Sequence, residues 1–341
     1  MMSKELESVA RSLVAPGKGI LAADESTGTI KKRFDTIDVE STEENRRAYR
    51  DLLFTARGVE EHISGVILYD ETLRQSSADG TPFPKLLAGR GIHPGIKVDT
   101  GAKNLAGASG EKVTEGLDGL RERLAEYHGL GARFAKWRAV ITIGDAIPSS
   151  YCLDTNAHAL ARYAALCVEQ GLVPIVEPEV LMDGSHTIER CYDVTARTLD
   201  RVFGALFAQR VPLEQILLKP NMVISGKGCE VQASKEEIAE RTLTCFRRHV
   251  PAAVPGIVFL SGGQSDVEAT VNLNEMNKTA NLPWEVSFSY GRALQAPSLA
   301  AWLGKSDNTP AAQDAFRKRS YCNGKARFGE YQPDMEERAV A

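Results

Sequence analysis

The sequence contains no Cys-x-x-Cys pair, no closely spaced histidine pair and no long apolar segment. Its six cysteines are scattered over 341 residues, which argues against a disulfide scaffold and against the common zinc and redox motifs. Scattered cysteines are typical of free thiols in a reducing compartment. No two of the six histidines lie within five residues of each other, so a His-x-x-x-His zinc motif is also absent. We therefore expect no metal ion.

Membrane proteins and nucleic-acid-binding proteins are disfavoured on similar grounds. No apolar run approaches the ~20 residues needed to cross a bilayer, and the N-terminal segment has no apolar signal-peptide core. There are 41 Lys and Arg residues against 45 Asp and Glu, a net charge of −4, with no basic block to bind nucleic acid or an anionic membrane. We expect a cytoplasmic protein with no nucleic-acid partner and no membrane partner.

Short apolar runs recur along most of the chain. Eight candidate strands, rich in Val and Ile, begin near residues 20, 66, 96, 135, 173, 216, 257 and 286. Longer segments with helical signals separate them. Alternating β and α elements predict a parallel sheet, and eight such units fit a closed (β/α)8 TIM barrel of the α/β class. A doubly wound open sheet is the alternative, but it usually has fewer strands.

Two loosely patterned stretches depart from this alternation. We expect a Gly-rich loop over residues 101–116 and a mobile C-terminal tail within 305–341. The predicted organisation is a single barrel domain over 1–319, followed by a tail over 320–341.

Charged residues follow the apolar strands, at positions where a core would exclude them. They are Asp24, Lys97, Lys136, Arg138, Glu177, Glu179 and Lys219. A spacing of two places Lys136 with Arg138, and Glu177 with Glu179, on the same face of a strand. The carboxyl ends of barrel strands converge on one mouth, where active sites lie. These four cations and three carboxylates are therefore predicted to share one cleft.

A single charge at a strand end is more often a solvated loop residue or a structural ion pair than a functional group. Seven charges at five strand ends favour a site, because a purely structural network does not need several lysines. Converging lysines indicate either phosphate binding or a nucleophilic amine. A lysine crowded by other cations loses its proton more readily and can then form a Schiff base with a carbonyl.

Two glycine-containing segments follow the last two predicted strands, at 260–265 (LSGGQS) and 289–292 (SYGR). As isolated motifs both are weak, and such segments are usually turns. The loops after strands seven and eight of a barrel, however, commonly bind phosphate through backbone N–H groups. With Arg292 available for a charged contact, we predict a phosphate site here.

Eight segments, in one order along the chain, resemble the class I fructose-bisphosphate aldolases. They are 21–28 (LAADESTG), 42–47 (TEENRR), 95–99 (GIKVD), 134–138 (FAKWR), 176–179 (VEPE), 217–222 (LLKPNM), 260–265 (LSGGQS) and 288–294 (FSYGRAL). The resemblance runs from about residue 16 to 304. It implies a (β/α)8 barrel enzyme without metal or other cofactor. Such an enzyme reversibly cleaves fructose 1,6-bisphosphate to dihydroxyacetone phosphate and glyceraldehyde 3-phosphate, in glycolysis and gluconeogenesis.

The resemblance also implies roles for individual residues. Lys219 is the nucleophile that forms a Schiff base with the C2 ketone, Glu177 moves protons during imine formation, and Asp24 helps to move the C4-hydroxyl proton. Lys136 and Glu179 support the site electrostatically, Lys136 by helping to keep the Lys219 amine neutral. The pocket for the C1 phosphate comprises Ser261, Gly262, Gly263, Ser289, Gly291 and Arg292. The other end of the substrate is assigned to Ser26, Arg33, Lys97 and Arg138. Thr29 is also expected to bind substrate, since it keeps the hydroxyl where many relatives have Ser.

One departure from the family leaves substrate preference open. Residues 336–341 (EERAVA) lack the C-terminal tyrosine of animal and plant members, which is linked to proton transfer and to preference for the bisphosphate over fructose 1-phosphate. Tyr321 and Tyr331 are candidates to substitute for it. Two alternatives are a Schiff-base barrel aldolase that prefers a monophosphate and a non-catalytic sugar-phosphate-binding scaffold. A homotetramer is expected by analogy with the family.

Overall fold

The eight apolar runs form the strands of a closed barrel in the computed structural model, which describes residues 2–337. Residues 2–337 contain ten strands, of which all but β4 and β5 belong to the barrel. They are β1 (Gly19–Ala23), β2 (Ile63–Leu68), β3 (His93–Lys97), β4 (Gly101–Asn104), β5 (Lys112–Glu115), β6 (Phe134–Ile141), β7 (Val173–Val180), β8 (Leu217–Leu218), β9 (Gly256–Phe259) and β10 (Glu285–Tyr290). The barrel order is β1-β2-β3-β6-β7-β8-β9-β10, with β10 closing on β1 and all pairs parallel. The predicted single-domain TIM barrel is confirmed.

Helices connect the strands and cover the barrel. They are α1 (Met2–Leu13), α2 (Thr27–Phe34), α3 (Glu43–Thr55), α4 (Asp70–Leu73), α5 (Phe83–Gly89), α6 (Leu120–Gly129), α7 (Ser150–Glu169), α8 (Ile188–Ala208), α9 (Lys235–His249), α10 (Asp266–Asn277), α11 (Arg292–Trp302) and α12 (Thr309–Ala326). The main core lies between these helices and the outer faces of the strands.

A separate apolar cluster fills the lower part of the barrel interior. Inward-facing strand residues such as Ile20, Ile175 and Leu217 pack there against Leu6 and Leu13 of α1. Helix α1 therefore closes the end of the barrel opposite the carboxyl ends of the strands. Because the apolar side chains fill this lower layer, only the layer at the carboxyl ends of the strands is available for polar side chains.

Glycines in two strands make room for the largest side chain of this lower layer, Phe134. A Cβ added to Gly95 would lie 2.2 Å from Phe134 Cζ, and one added to Gly65 would lie 3.1 Å from its Cε1. The ring thus rests directly on the backbone of β2 and β3. Close packing of this kind tolerates added volume poorly.

The Gly-rich loop predicted for residues 101–116 is wrong, because this stretch forms the antiparallel hairpin β4–β5. Gly107 and Gly110 in its turn and Gly116 at its end have positive φ angles, which glycine adopts without strain. The glycines therefore shape the hairpin turn. Thr114 ties the hairpin to the barrel by donating a hydrogen bond to the carbonyl of Arg138 at 2.7 Å.

Part of the stretch expected to be a loosely ordered tail, residues 309–326, forms helix α12. No apolar stripe marks this helix in the sequence, since its buried side includes Arg319, Ser320 and Asn323. The boundary placed between 319 and 320 falls inside α12. Residues 338–341 of the predicted tail lie outside the described residues, and the mobility of the tail stays a prediction.

Replacing Gly95 by alanine should lower the free energy of unfolding by about 1–3 kcal/mol, because the new methyl group would overlap the Phe134 ring. The measurement is chemical denaturation of wild type and variant. Gly89→Ala, at the end of α5, is the matched control, since nothing lies within 4 Å of a Cβ at this position. An equal loss in both variants would contradict the packing argument.

Candidate active site

One cavity of about 730 Å³ opens at the carboxyl ends of the barrel strands. Every sequence-predicted site residue except Gly263 lines it. These lining residues are Asp24, Ser26, Thr29, Arg33, Lys97, Lys136, Arg138, Glu177, Glu179, Lys219, Ser261, Gly262, Ser289, Gly291 and Arg292. The charges that follow separate strands therefore meet in one cavity, as their spacing predicts, while the roles assigned to them stay a prediction.

Strand register explains how the charges reach the interior. Ile175 and Leu217 belong to the apolar cluster inside the barrel. Two residues further along the chain, at the next inward-facing position, stand Glu177 and Lys219. The layer just above the apolar cluster is thus built from ionisable side chains.

Four of these side chains form a continuous chain of alternating charge. Nζ of Lys136 lies 2.6 Å from Oδ2 of Asp24 and 3.4 Å from Oε2 of Glu177. Nζ of Lys219 lies 3.1 Å from Oε1 of the same glutamate. Each of the four side chains is at most 13% exposed, so their mutual attraction is only weakly screened by water.

Mutual attraction in this chain outweighs the cost of burial. Burial alone would raise the pKa of Asp24, but Lys136 and Lys219 hold it well below its usual range. Burial would also raise the pKa of Glu177, and the same two lysines lower it. The two effects act in the opposite directions on Lys136: burial would lower its pKa, and the carboxylates of Asp24 and Glu177 raise it. All three groups are therefore ionised at neutral pH.

A second group of paired charges lies towards the carboxyl ends of β3, β6 and β7. Nζ of Lys97 is 2.6 Å from Oδ1 of Asp99, and Arg138 pairs with Glu179. Asp99 also accepts hydrogen bonds from the amides of Gly101 at 3.2 Å and Arg138 at 3.4 Å. The sequence pattern did not single out Asp99, although its spacing of two from Lys97 is a signal for such a pair.

Hydroxyl groups stand beside these charges at the start of α2. Oγ of Ser26 and Oγ1 of Thr29 lie 3.1 Å apart. Both residues, together with Lys97 and Arg138, also line a hollow that adjoins the main cavity. Hydroxyl donors next to two cations make this side of the cavity suitable for an anionic group.

On the side of β9 and β10 the cavity wall is built from small residues and one arginine. They are Ser261, Gly262, Ser289, Gly291 and Arg292. Gly291 directly precedes α11, and Arg292 donates a hydrogen bond to the carbonyl of Gly262. The Ser289 hydroxyl is buried and has no hydrogen-bond partner within residues 2–337. A glycine loop, a helix N-terminus, an unpaired hydroxyl and an arginine together suit a phosphate.

Gly263 does not reach the cavity lining and has other neighbours. Its amide lies 2.9 Å from Sδ of Met182. A Cβ at this position would lie 1.9 Å from Cε of Lys227, so the lysine side chain covers the glycine directly. Gly263 thus contacts Met182 and Lys227, whereas its neighbour Gly262 faces the cavity.

A buried network beside the cavity was missed by the sequence pattern. It joins Glu25 to Arg33, Arg50 and Gln295. Arg50 was detectable, because it is a charge on the otherwise apolar buried face of α3. Nη2 of Arg33 lies 3.6 Å from the place that a Cβ on Gly291 would take. This guanidinium therefore stands on the side of the C1-phosphate residues, although the family resemblance assigned it to the opposite end.

The tyrosines considered as substitutes for a C-terminal tyrosine lie away from the cavity. Among residues 2–337, none of those that line it is a tyrosine. The Tyr331 side chain is buried and donates a hydrogen bond to Oε1 of Glu336 at 2.8 Å. The Tyr321 ring packs edge-on against His62.

Neither a metal site nor a membrane span is found within the described part of the chain. No group of three or more His, Cys, Asp and Glu side chains between residues 2 and 337 is arranged to hold a metal ion. No helix in the same range is both long and apolar enough to cross a bilayer.

Comparison with known proteins agrees with this geometry. A family model described as class-I fructose-bisphosphate aldolase, glycolytic, matches residues 5–341. The chain belongs to this family. The predicted family, the enzyme class and the cleavage of fructose 1,6-bisphosphate in glycolysis are thereby confirmed.

Relatives of this aldolase match over nearly their whole length. A probable class 1 fructose-bisphosphate aldolase from Xanthomonas campestris pv. campestris is 60% identical, over 97% of this chain and 99% of the relative. Fructose-bisphosphate aldolase from Dictyostelium discoideum is 54% identical, over 96% and 92%. The solved aldolase from Plasmodium falciparum, in complex with TRAP and a small-molecule inhibitor, is 50% identical with a TM-score of 0.96, over 97% of this chain and 96% of that one.

Lowering the pH should remove the stability that Asp24 contributes. The pKa of Asp24 is lowered in the folded protein, so its contribution is fully present above about pH 5 and is lost as the pH falls below about 4. We expect the free energy of unfolding of wild type, measured by chemical denaturation, to fall relative to that of Asp24→Asn over this range. Asp307→Asn, on the surface, is the matched control. A difference between wild type and Asp24→Asn that stays constant with pH would contradict the argument.

Proposed function

We propose that the cavity cleaves fructose 1,6-bisphosphate reversibly through a Schiff base between Lys219 and the C2 ketone, without a metal ion or other cofactor. The observation that carries this proposal is the position of Glu177, whose two oxygens lie within 3.4 Å of the amines of Lys136 and Lys219. A carbonyl carbon attacked by Lys219 stands next to an ionised carboxylate and a protonated amine.

Imine formation requires protons to be removed and returned. Lys219 attacks C2 as a free amine, and Glu177, 3.1 Å from its Nζ, accepts the proton that the ammonium gives up. The N–H proton lost during attack passes to the ketone oxygen. Glu177 then returns its proton to the resulting hydroxyl, which leaves as water and yields the protonated imine. Lys136 keeps its own proton throughout, because the neighbouring carboxylates of Asp24 and Glu177 raise its pKa.

Cleavage follows because the protonated imine accepts the electron pair of the C3–C4 bond. The C4 hydroxyl must lose its proton as that bond breaks, and the ionised Asp24 is the suitable acceptor. Glyceraldehyde 3-phosphate leaves with C4 as its aldehyde carbon. The enamine that stays on Lys219 takes up a proton at C3, Asp24 releases the proton that it accepted from the C4 hydroxyl, and hydrolysis of the imine then releases dihydroxyacetone phosphate. Lys136 lies within hydrogen-bonding distance of Asp24. Its positive charge holds the carboxylates of Asp24 and Glu177 in place during these steps.

A bisphosphate needs phosphate-binding groups on both sides of Lys219. The wall formed by residues 261–262, Ser289 and 291–292 suits the C1 phosphate, and Arg33 lies on that side. Ser26, Thr29, Lys97 and Arg138 suit the other phosphate, and Glu179 fixes Arg138 there. Cations at both ends favour fructose 1,6-bisphosphate over a monophosphate as the preferred substrate.

The scaffold alternative accounts less well for the buried charges. A protein that only bound sugar phosphates would need the two phosphate sites, but not an ionised glutamate between two buried lysines. Burial of such a group is costly unless it is closely paired, so its presence favours catalysis. The homotetramer expected by analogy with the family and the cytoplasmic location expected from the sequence remain part of this proposal.

Borohydride reduction in the presence of dihydroxyacetone phosphate and EDTA should add one reduced triose phosphate to Lys219, identified by peptide mass spectrometry. Lys219→Arg should give no adduct and lower kcat by about 10³-fold or more, because a guanidinium is not a nucleophilic amine. Lys235→Arg, an exposed lysine on α9, is the matched control and should keep the activity.

The position of the adduct separates the alternatives. An adduct on Lys136 or Lys97 would keep the reaction class and overturn the roles assigned here. A folded protein that binds the triose phosphate without forming any adduct would contradict the Schiff-base mechanism and favour the scaffold.

Lys97→Met should raise KM for fructose 1,6-bisphosphate about tenfold, the scale of one lost charge-assisted hydrogen bond. KM for fructose 1-phosphate should change little, because that substrate has no phosphate at this end. Arg292→Met is the matched comparison and should raise KM for both substrates. Equal effects of Lys97→Met on the two substrates, measured by steady-state kinetics, would argue against this assignment.

A further inference from the structure

The Glu25 carboxylate is shared by two arginines and one glutamine. Its Oε2 accepts a hydrogen bond from Nη2 of Arg50 at 2.5 Å, and its Oε1 accepts one from Nε2 of Gln295 at 2.9 Å. Nη1 of Arg33 also contacts Oε1. Glu25 directly follows Asp24 in the chain, so this network adjoins the catalytic centre.

The two arginines differ in burial and in bonding. The Arg50 side chain is 3% exposed and also donates to Oε1 of Gln295 at 3.4 Å. The Arg33 side chain is 23% exposed and lines the cavity, which Arg50 does not. The contact between Nη1 of Arg33 and Glu25 lacks hydrogen-bond geometry. Arg50 is therefore fixed to Glu25, whereas Arg33 is held mainly by charge attraction.

Arg50 and Gln295, the buried partners of Glu25, connect it to two helices and one strand. Arg50 lies on α3, and Gln295 on α11 donates a second hydrogen bond to the carbonyl of Ala22 in β1 at 2.7 Å. The guanidinium of Arg33 stands beside Gly291, at the wall suited to the C1 phosphate. A phosphate bound there would compete with Glu25 for Arg33.

We propose that Arg50 is a positioning residue, which neutralises Glu25 so that Arg33 can leave it for the substrate phosphate beside Gly291. This inference rests on the proposed function. Without Arg50, a departing Arg33 would leave Glu25 buried, charged and without a cation, which is strongly unfavourable. The carboxylate would then retain Arg33, because attraction between opposite charges at a buried site is only weakly screened by water. With Arg50 in place, Glu25 keeps one cation whether or not substrate is bound.

The test measures KM and kcat for Arg50→Met, which preserves much of the side-chain volume. KM for fructose 1,6-bisphosphate should rise about tenfold, the scale of one charged hydrogen bond to phosphate. By contrast, kcat should stay within about twofold, because Arg50 touches none of the reacting groups. Arg47→Met, on the same helix and outside the cavity lining, is the matched control and should change neither value.

The double variant Glu25→Gln/Arg50→Met separates positioning from a merely structural role. It removes the carboxylate that would capture Arg33, so its KM should lie closer to the wild-type value than to that of Arg50→Met. It also leaves no unpaired buried carboxylate, so it remains a test if Arg50→Met fails to fold. A folded double variant with KM raised tenfold, or a folded Arg50→Met with unchanged KM, would overturn the inference.

Trapping of wild type on Lys219 distinguishes this inference from the proposed function. If wild type forms the Lys219 adduct and Arg50→Met leaves KM unchanged, the positioning role fails and the Schiff-base mechanism stands. If folded wild type forms no adduct, the mechanism fails, and the inference that rests on it falls as well.

Discussion

The active centre depends on one electrostatic constraint: ionised groups inside a barrel must neutralise one another. Asp24, Lys136, Glu177 and Lys219 are nearly removed from water, and each contacts at least one opposite charge. An isolated charge at this depth would cost several kcal/mol, whereas the alternating chain keeps its carboxylates and Lys136 ionised. The pairing that offsets the free-energy cost of burying these charges also fixes the distances between the groups that transfer protons.

The fold supplies this arrangement by dividing the barrel interior into two layers. Apolar side chains and helix α1 fill the lower layer, so water is excluded from beneath the charges. The charged residues follow two positions later on the same inward face, as at Ile175 and Glu177. Because neighbouring parallel strands are in fixed register, a lysine on β6 meets a glutamate on β7 without any contribution from flexible loops.

Strand positions and the convergence of charges could be predicted because both follow from local spacing. The eight apolar runs correspond to the eight strands of the barrel, and the charges within or directly after them line one cavity. Helix α12 could not be predicted from periodicity, since it buries polar side chains such as Arg319 against its neighbours. The contacts of Glu25 with Arg50 and Gln295 could not be predicted either, because both partners are 25 or more residues away in sequence. A contact between elements that are distant in the chain leaves only a weak signal in the sequence, such as a single charged residue on an otherwise apolar helix face.

Two of the buried glutamates that line the cavity have a common arrangement. Glu177 lies between Lys136 and Lys219, and Glu25 lies between Arg50 and Arg33. In each case one cation stays on the carboxylate and permits the other to change its partner or its charge. A carboxylate with a single cation would resist that change, because reaction or binding would leave it buried and unpaired. Sharing Glu177 and Glu25 each between two cations therefore lets one cation of each pair react or bind substrate while the buried carboxylate stays neutralised.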